Sequence, residues 1–249
     1  MRYYTLQDLN IAGVLWELTE TPMICGAKKT PTHQTFSNTI TPTNKKPIII
    51  PASAPISLET VKSMVMRPVD IDSLIRMVME FNHPLRAGAT NVVMPNIAKN
   101  PNGLLIITDM PSTDDDLSGK ILSGNAGEMV DKMLSAIEMS RDNVSIIPLI
   151  FWRTPGGRSP NREEIDLARP FVDKMIEMLK PRVIVTLGTL AATEIGQINL
   201  TKNHGNEIDN DSEYKIVPIY HPNFLILKPS AKKDVWVALQ NVQKMLKMP

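Results

Sequence analysis

The sequence predicts a three-layer α/β/α fold, in which helices cover both faces of a central four-stranded parallel sheet. After Gly103, short continuous apolar segments alternate with amphipathic segments of helical length. Strands that are apolar on both faces are typical of parallel sheets, whose crossover connections are usually helices. The predicted strands are 103–108, 144–151, 182–187 and 215–220.

Helices are predicted where apolar residues recur at the spacing of one helical face. Two precede the sheet, over 57–66 with Ser57 as its N-cap and over 70–81. The helix after the second strand has Ser159 as its predicted cap and Pro160 in its first position, and we expect Pro170 to kink it. The helices that alternate with the strands are predicted over 124–140, 161–179, 189–195 and 231–247.

Composition divides the chain into three regions. Residues 1–19 predict a short amphipathic N-terminal helix. Residues 20–66 are rich in proline and threonine, which is typical of a linker. Residues 67–249 contain the alternating pattern and therefore form the predicted α/β domain.

Composition also limits the possible partners. The net charge is +1, so a nucleic acid would be bound by a local basic patch rather than by the whole molecule. Cys25 is the only cysteine, which excludes an intramolecular disulfide and any site built from several thiolates. The first residues lack the apolar core of a signal peptide, and no run of about 18 apolar residues predicts a membrane span. We therefore expect a cytoplasmic monomer with no membrane contact.

Five sequence blocks follow one another in the α/β region. Thr-Asp-Met-Pro-Ser at 108–112 precedes three aspartates and then Gly-Lys-Ile-Leu-Ser-Gly-Asn-Ala-Gly at 119–127. The second strand leads into Arg-Thr-Pro-Gly-Gly-Arg-Ser-Pro at 153–160. The last two blocks are Pro-Arg-Val-Ile-Val-Thr-Leu-Gly at 181–188 and Tyr-His-Pro-Asn-Phe-Leu at 220–225. In this order the blocks resemble the uracil-DNA glycosylase superfamily, and in particular a family-4-like bacterial branch that lacks the full set of cysteines.

The resemblance implies an enzyme that excises uracil, or a related damaged base, from DNA in base excision repair. By resemblance, Asp109 takes the position of the carboxylate near the sugar, and His221 that of the group stabilising the departing base. Leu225 takes the position of an apolar wedge that enters the duplex. The residues implied in the base pocket are Pro111, Leu122 and Pro148, and Ser112 is implied near the DNA backbone. Apart from the resemblance, charge and position predict further phosphate contacts: Arg153 and Arg158 beside a glycine-rich loop, and Lys228, Lys232 and Lys233 after the His221 loop.

The two implied catalytic residues follow strands of one sheet, so both are expected at its carboxyl edge, where such folds bind ligands. We predict that Asp109 and His221 face one cavity floored by Leu122 and Pro148. Their separation should be on the order of 6–12 Å, since a nucleoside must fit between them. Asp109 could instead cap a loop, and Leu225 could instead be a core residue. The aspartates at 114–116 are interpreted as a solvated loop.

Several positions depart from the family pattern. Asp109 replaces a glutamate, Leu122 a phenylalanine that stacks on the base, and Pro148 an asparagine that reads the edge of the base. Leucine has no π face, and proline has no side-chain donor or acceptor, so weak excision is expected. A glycosylase-fold protein that has lost excision and only binds DNA or a partner is the alternative function.

The iron–sulfur cysteines implied by the family are also replaced. His83, Trp152 and Ala168 stand at three of those positions. We therefore expect no iron–sulfur cluster, no other metal and no cofactor. An unrelated small-molecule hydrolase is a weaker interpretation, because the sequence contains no Gly-x-Ser-x-Gly, P-loop or Gly-x-Gly-x-x-Gly motif.

Overall fold

A computed structural model describes residues 57–209 and 213–247. The predicted N-terminal helix and most of the predicted linker lie outside these residues. The strands are β1 (Leu104–Thr108), β2 (Ser145–Pro148), β3 (Val183–Leu187) and β4 (Lys215–Ile219). The helices are α1 (Leu58–Val65), α2 (Ile71–Glu80), α3 (Thr113–Ser118), α4 (Gly124–Ser135), α5 (Arg162–Leu179), α6 (Thr189–Gly196), α7 (Leu200–Asn203), α8 (Pro222–Leu227) and α9 (Lys232–Lys247).

The four strands form one parallel sheet in the order β2-β1-β3-β4, which confirms the predicted sheet. The strands end at the same level, because their last residues lie opposite one another in register. Across the sheet this final row reads Pro148, Thr108, Leu187 and Ile219. The carboxyl edge is therefore a continuous rim, as the sequence predicts.

Each face of the sheet is covered by its own helices. Leu105 and Ile107 pack with buried residues of α1, α2, α5 and α6, and this side is called the α5 face. Leu104 and Ile106 pack with buried residues of α4, α8 and α9, and this side is called the α9 face. The alternation follows from the strand period of two, and it decides the side on which each residue at the rim lies.

Helix α1 lies within the region predicted as linker, residues 20–66. Ser57 caps α1 through its hydroxyl, which accepts the amide N–H of Thr60 at 3.2 Å, so the predicted cap is confirmed. Val61 and Val65 of that helix are buried in the core of the α5 face. Helix α1 therefore packs with the α/β domain, and the domain boundary predicted at 67 stays a prediction.

Two predicted helix boundaries also move. The cap of α5 is Asn161 rather than Ser159. Its side-chain oxygen accepts the amide N–H of Glu164, and its own amide N–H donates to the Glu164 carboxylate, which is a capping box. Pro160 therefore precedes the helix, and Pro170 lies buried within it. The helix predicted over 124–140 ends at Ser135. None of the described helices is long and apolar enough to cross a bilayer.

Candidate active site at the carboxyl edge of the sheet

His221 lies at the rim, two residues after β4. Its Nδ1 accepts the amide N–H of Asn223 at 3.2 Å, so in the neutral ring the proton is on Nε2. Nε2 lies 3.2 Å from Oγ1 of Thr108, the last residue of β1, and can donate to it. The imidazole thus reaches across the end of β3 and presents a hydrogen-bond donor at the centre of the rim.

Burial lowers the pKa of His221 to about 4, and the negative charge of Asp115 opposes this effect to a smaller extent. The ring is consequently neutral near pH 7. A neutral imidazole whose Nε2–H is fixed in direction can stabilise a developing oxyanion without first binding a proton from solvent.

The two departures expected in the base pocket lie on the same face as this histidine. Pro148 is the last residue of β2 and lies directly beside Thr108. It is two residues after Ile146, so it points to the same α9 face. Leu122 is 3% exposed and belongs to the same core. The predicted association of Leu122 and Pro148 with His221 is consistent with this arrangement, although their direct roles toward a base stay predictions.

Asp109 is directed to the other face. Its Oδ1 accepts the amide N–H of Ala191 at 2.6 Å, in the first turn of α6 on the α5 face. A Cβ on Gly188 would overlap the same carboxylate, so only glycine fits there. Burial raises the pKa of Asp109 to about 6, against a lowering by the amides of Ala191 and Leu190. The carboxylate caps a neighbouring helix, and these contacts give no support to a cavity shared by Asp109 and His221.

The aspartates at 114–116 lie in helix α3 rather than in a loop, and only Asp114 is exposed, which corrects the interpretation made from the sequence. Asp115 and Asp116 are 4% and 6% exposed. Asp116 Oδ1 accepts the amide N–H groups of Thr90 and Asn91. Asp115 accepts the amide N–H of Ser112 at 2.8 Å and that of Ser123 at 2.6 Å. Sequence reasoning missed both roles because runs of acidic residues are usually exposed.

Arg141 also holds the backbone around Leu122, in addition to the bond from Ser123 to Asp115. Its guanidinium donates to the carbonyl oxygens of Ile121 and Leu122 at 2.9 and 2.8 Å, and it pairs with Asp131 at 2.7 Å. Leu122 has a φ of +51°, a left-handed conformation that a leucine rarely adopts. The two carbonyl contacts show why this conformation persists, since the surrounding structure fixes it. Nothing in the sequence near Arg141 indicated such a role.

The loop residues implied near DNA have structural roles of their own. Pro111 is buried, and Ser112 is the N-cap of α3. Arg158 forms a bidentate pair with Glu164 at 2.8 and 2.5 Å, so its guanidinium is already committed within the protein. Arg153 is half-buried beside Gly157.

The lysines implied at the DNA remain at the surface near α8. Lys228 and Lys233 are exposed, and Lys228 lies 5.9 Å from the ring centre of Phe224. Burial, and to a smaller extent the positive charge of Lys132, lowers the pKa of Lys232. Lys132 on α4 thus lies close to Lys232, and the sequence gave no indication that the two would meet.

Leu225 is fully buried in the core of the α9 face, which corrects its expected position as a wedge. A side chain at 0% exposure cannot enter a duplex unless α8 leaves the core. The exposed apolar residues of the same helix are Phe224, Ile226 and Leu227, at 38%, 41% and 84% exposure. The helical period explains the difference, because it turns Leu225 inward and its neighbours outward.

The positions implied for iron–sulfur ligands are filled by packed side chains. The rings of His83 and Trp152 stack with centres 4.3 Å apart and planes 4° apart, and Ala168 is fully buried. His83 accepts the amide N–H of Leu85 and contacts the carbonyl oxygen of Glu164. These residues offer no thiolate and do not fit a cluster. In the part of the chain that the structure describes, no three His, Cys, Asp or Glu side chains are grouped as metal ligands.

Fold and site together define a three-layer α/β/α protein with a neutral histidine donor at the carboxyl edge of a parallel sheet. The chain belongs to the uracil DNA glycosylase superfamily, whose family profile matches residues 95–243. This match confirms the resemblance seen in the five sequence blocks.

Three curated relatives, each named type-4 uracil-DNA glycosylase, are similar to the chain. The protein of Archaeoglobus fulgidus is 27% identical over 174 residues, which cover 66% of this chain and 87% of the relative. That of Thermotoga maritima is 28% identical over 164 residues, covering 65% and 84%. That of Pyrobaculum aerophilum is 31% identical over 160 residues, covering 61% and 81%.

Proposed function

We propose that this protein is a DNA glycosylase that excises uracil, or a related damaged base, and that it does so weakly. The observation that carries the proposal is the neutral imidazole of His221, whose Nε2–H is directed over the carboxyl rim. The family match and the names of the type-4 relatives support the same reaction.

The chemistry requires a donor where His221 lies. Cleavage of the bond between sugar and base leaves negative charge on an oxygen of the departing base and positive charge on the sugar. In the free protein Thr108 Oγ1 occupies the donor at 3.2 Å, and a base oxygen would replace it. Because burial lowers the pKa of His221 to about 4, the imidazole is neutral near pH 7 and can donate its Nε2–H without first binding a proton.

The weakness of excision follows from the two departures in the pocket. Leu122 can pack against a flipped base but cannot stack a π face on it. Pro148 cannot hydrogen-bond the edge of a base through its side chain. Binding energy that would align the base in the transition state is therefore missing, whereas the leaving-group donor is retained.

DNA would be bound by a local surface around α8. Leu227, at 84% exposure, replaces Leu225 as the proposed wedge, with Phe224 beside it. Lys228 and Lys232, together with Lys132 near Lys232, would contact phosphates on either side. Arg153 is a further proposed phosphate contact, whereas Arg158 already pairs with Glu164 and is not proposed to contact DNA.

A catalytically inactive DNA-binding protein is the second candidate. The specific observation in its favour is the orientation of Asp109, whose carboxylate accepts an amide N–H of α6 rather than facing His221. If Asp109 cannot act near the sugar, another group must stabilise the positive charge or the reaction fails.

Excision of uracil tests the proposal directly. The protein, in excess over a labelled oligonucleotide with one uracil, is incubated for increasing times, and abasic sites are then cleaved with alkali. Slow, time-dependent cleavage is expected, and His221→Ala should reduce its rate by about 100- to 1000-fold. His204→Ala is the control, since His204 is also half-buried but stacks on Tyr220 at 3.9 Å instead of pointing at Thr108.

Two results would decide against the proposal. Equal rates for the wild type and His221→Ala would show that His221 is not the leaving-group donor. No cleavage of single- or double-stranded substrate, combined with measurable DNA binding, would establish the second candidate instead.

A further inference from the structure

Asp115 joins the two loops that flank the candidate pocket. It lies in α3, and its Oδ2 accepts the amide N–H of Ser112, while the hydroxyl of Ser112 accepts the amide N–H of Asp115. This pair is an ordinary capping box and would need only one carboxylate oxygen. The second oxygen, Oδ1, accepts the amide N–H of Ser123 at 2.6 Å, eight residues further along the chain.

This second bond fixes the residue that follows Leu122. Leu122 is held in a left-handed conformation, with its carbonyl oxygen bound by Arg141 on one side and the next amide bound by Asp115 on the other. A backbone conformation that is strained for a leucine is retained only when its surroundings impose it. The position of the Leu122 side chain therefore depends on Asp115.

The same carboxylate also acts on His221. Its negative charge favours the protonated imidazole and partly opposes the effect of burial on the pKa. Asp109, by contrast, directs its carboxylate to α6 on the other face of the sheet. Among the described residues, Asp115 is thus the carboxylate whose charge reaches the imidazole.

We propose that Asp115 is the positioning residue of the site, which fixes Leu122 beneath the base through its hydrogen bond to the amide of Ser123. This role rests on the proposed glycosylase function for its catalytic meaning. A negative charge near the site also favours the positive sugar that forms during cleavage. Asp115 contacts backbone amides rather than the base in this arrangement, so it acts through its neighbours.

The neighbouring Asp116 provides a matched control. It lies in the same short helix, is 6% exposed against 4% for Asp115, and also accepts two backbone amides, those of Thr90 and Asn91. Asp116→Asn should therefore destabilise the fold about as much as Asp115→Asn, without affecting His221 or Leu122.

The test compares both variants by NMR titration of the His221 ring and by single-turnover excision. Asp115→Asn should lower the pKa of His221 below its wild-type value of about 4 and should slow excision by about 10- to 100-fold. Asp116→Asn should leave the titration as in the wild type. Asp115→Glu keeps the charge but lengthens the side chain, so it should preserve the titration and still slow excision.

Identical titration and identical excision in Asp115→Asn and Asp116→Asn would overturn the proposal. If the wild type excises nothing, the titration alone still decides the electrostatic part, and the amide resonance of Ser123 reports the loop contact. If Asp115→Asn does not fold, an unchanged excision rate in Asp115→Glu would overturn the positioning role.

Discussion

Replacing His221 by glutamine should remove one strong pH dependence of stability. In the unfolded chain His221 binds a proton below about its ordinary pKa of 6.5, whereas in the folded protein it resists protonation until about pH 4. As the pH falls through this window the unfolded state binds more protons, so the wild type loses stability. At 1.36 kcal/mol per pKa unit the loss reaches about 3 kcal/mol, and His221→Gln lacks it.

Asp109 should contribute with the opposite sign. Its ordinary pKa is 3.8 and its folded pKa is about 6, so between these values the folded state retains the proton longer than the unfolded chain. Stability therefore falls as the pH rises through this window, again by about 3 kcal/mol in total. Asp109→Asn removes this penalty. In the wild type the two contributions to the pH dependence of stability largely cancel. Each single variant removes one of them, so the contribution of the remaining residue should then be measurable.

Urea unfolding at pH 4.5 and pH 7.5 measures these contributions. The free energy of unfolding of the wild type minus that of His221→Gln should be about 2.5 kcal/mol lower at pH 4.5 than at pH 7.5. The free energy of unfolding of the wild type minus that of Asp109→Asn should be about 2 kcal/mol higher at pH 4.5 than at pH 7.5. Each comparison uses the change between two pH values, so a constant effect of the substitution drops out. If these free-energy differences do not vary with pH, the pKa of His221 is not lowered and that of Asp109 is not raised in the folded protein.

Two further predictions concern the DNA surface. Leu225→Ala should lower the free energy of unfolding by about 2–5 kcal/mol, because the side chain is buried. Leu227→Ala should change the free energy of unfolding by less than about 0.5 kcal/mol and should weaken binding to uracil-containing duplex. Strong destabilisation by Leu227→Ala in urea unfolding would contradict this. Arg158→Ala should destabilise the fold, because the buried Glu164 carboxylate loses its partner. It should leave the salt dependence of DNA binding unchanged, whereas Lys228→Ala should make that dependence less steep. A less steep salt dependence in Arg158→Ala would show that Arg158 contacts DNA.

The periodicity of the sequence was sufficient to predict the sheet. Each strand is a continuous apolar segment, and each connecting helix has one apolar face, so the local pattern and the tertiary arrangement agree. For the same reason His221 could be placed at the rim, since a residue directly after a parallel strand must lie at its carboxyl edge. Boundaries were less certain: Ser159 and Asn161 are both good caps, and only the reciprocal bonds with Glu164 select Asn161.

Orientation was decided only by the tertiary structure. Thr108 and Asp109 are adjacent in sequence, but the strand period turns one toward His221 and the other toward α6. The same effect in a helix buries Leu225 and exposes Leu227. The importance of Asp115 depends on a bond to Ser123 across a loop, for which no local pattern exists. Sequence therefore determined which elements form and where they end, whereas the side on which each functional group lies depends on packing between residues distant in the chain.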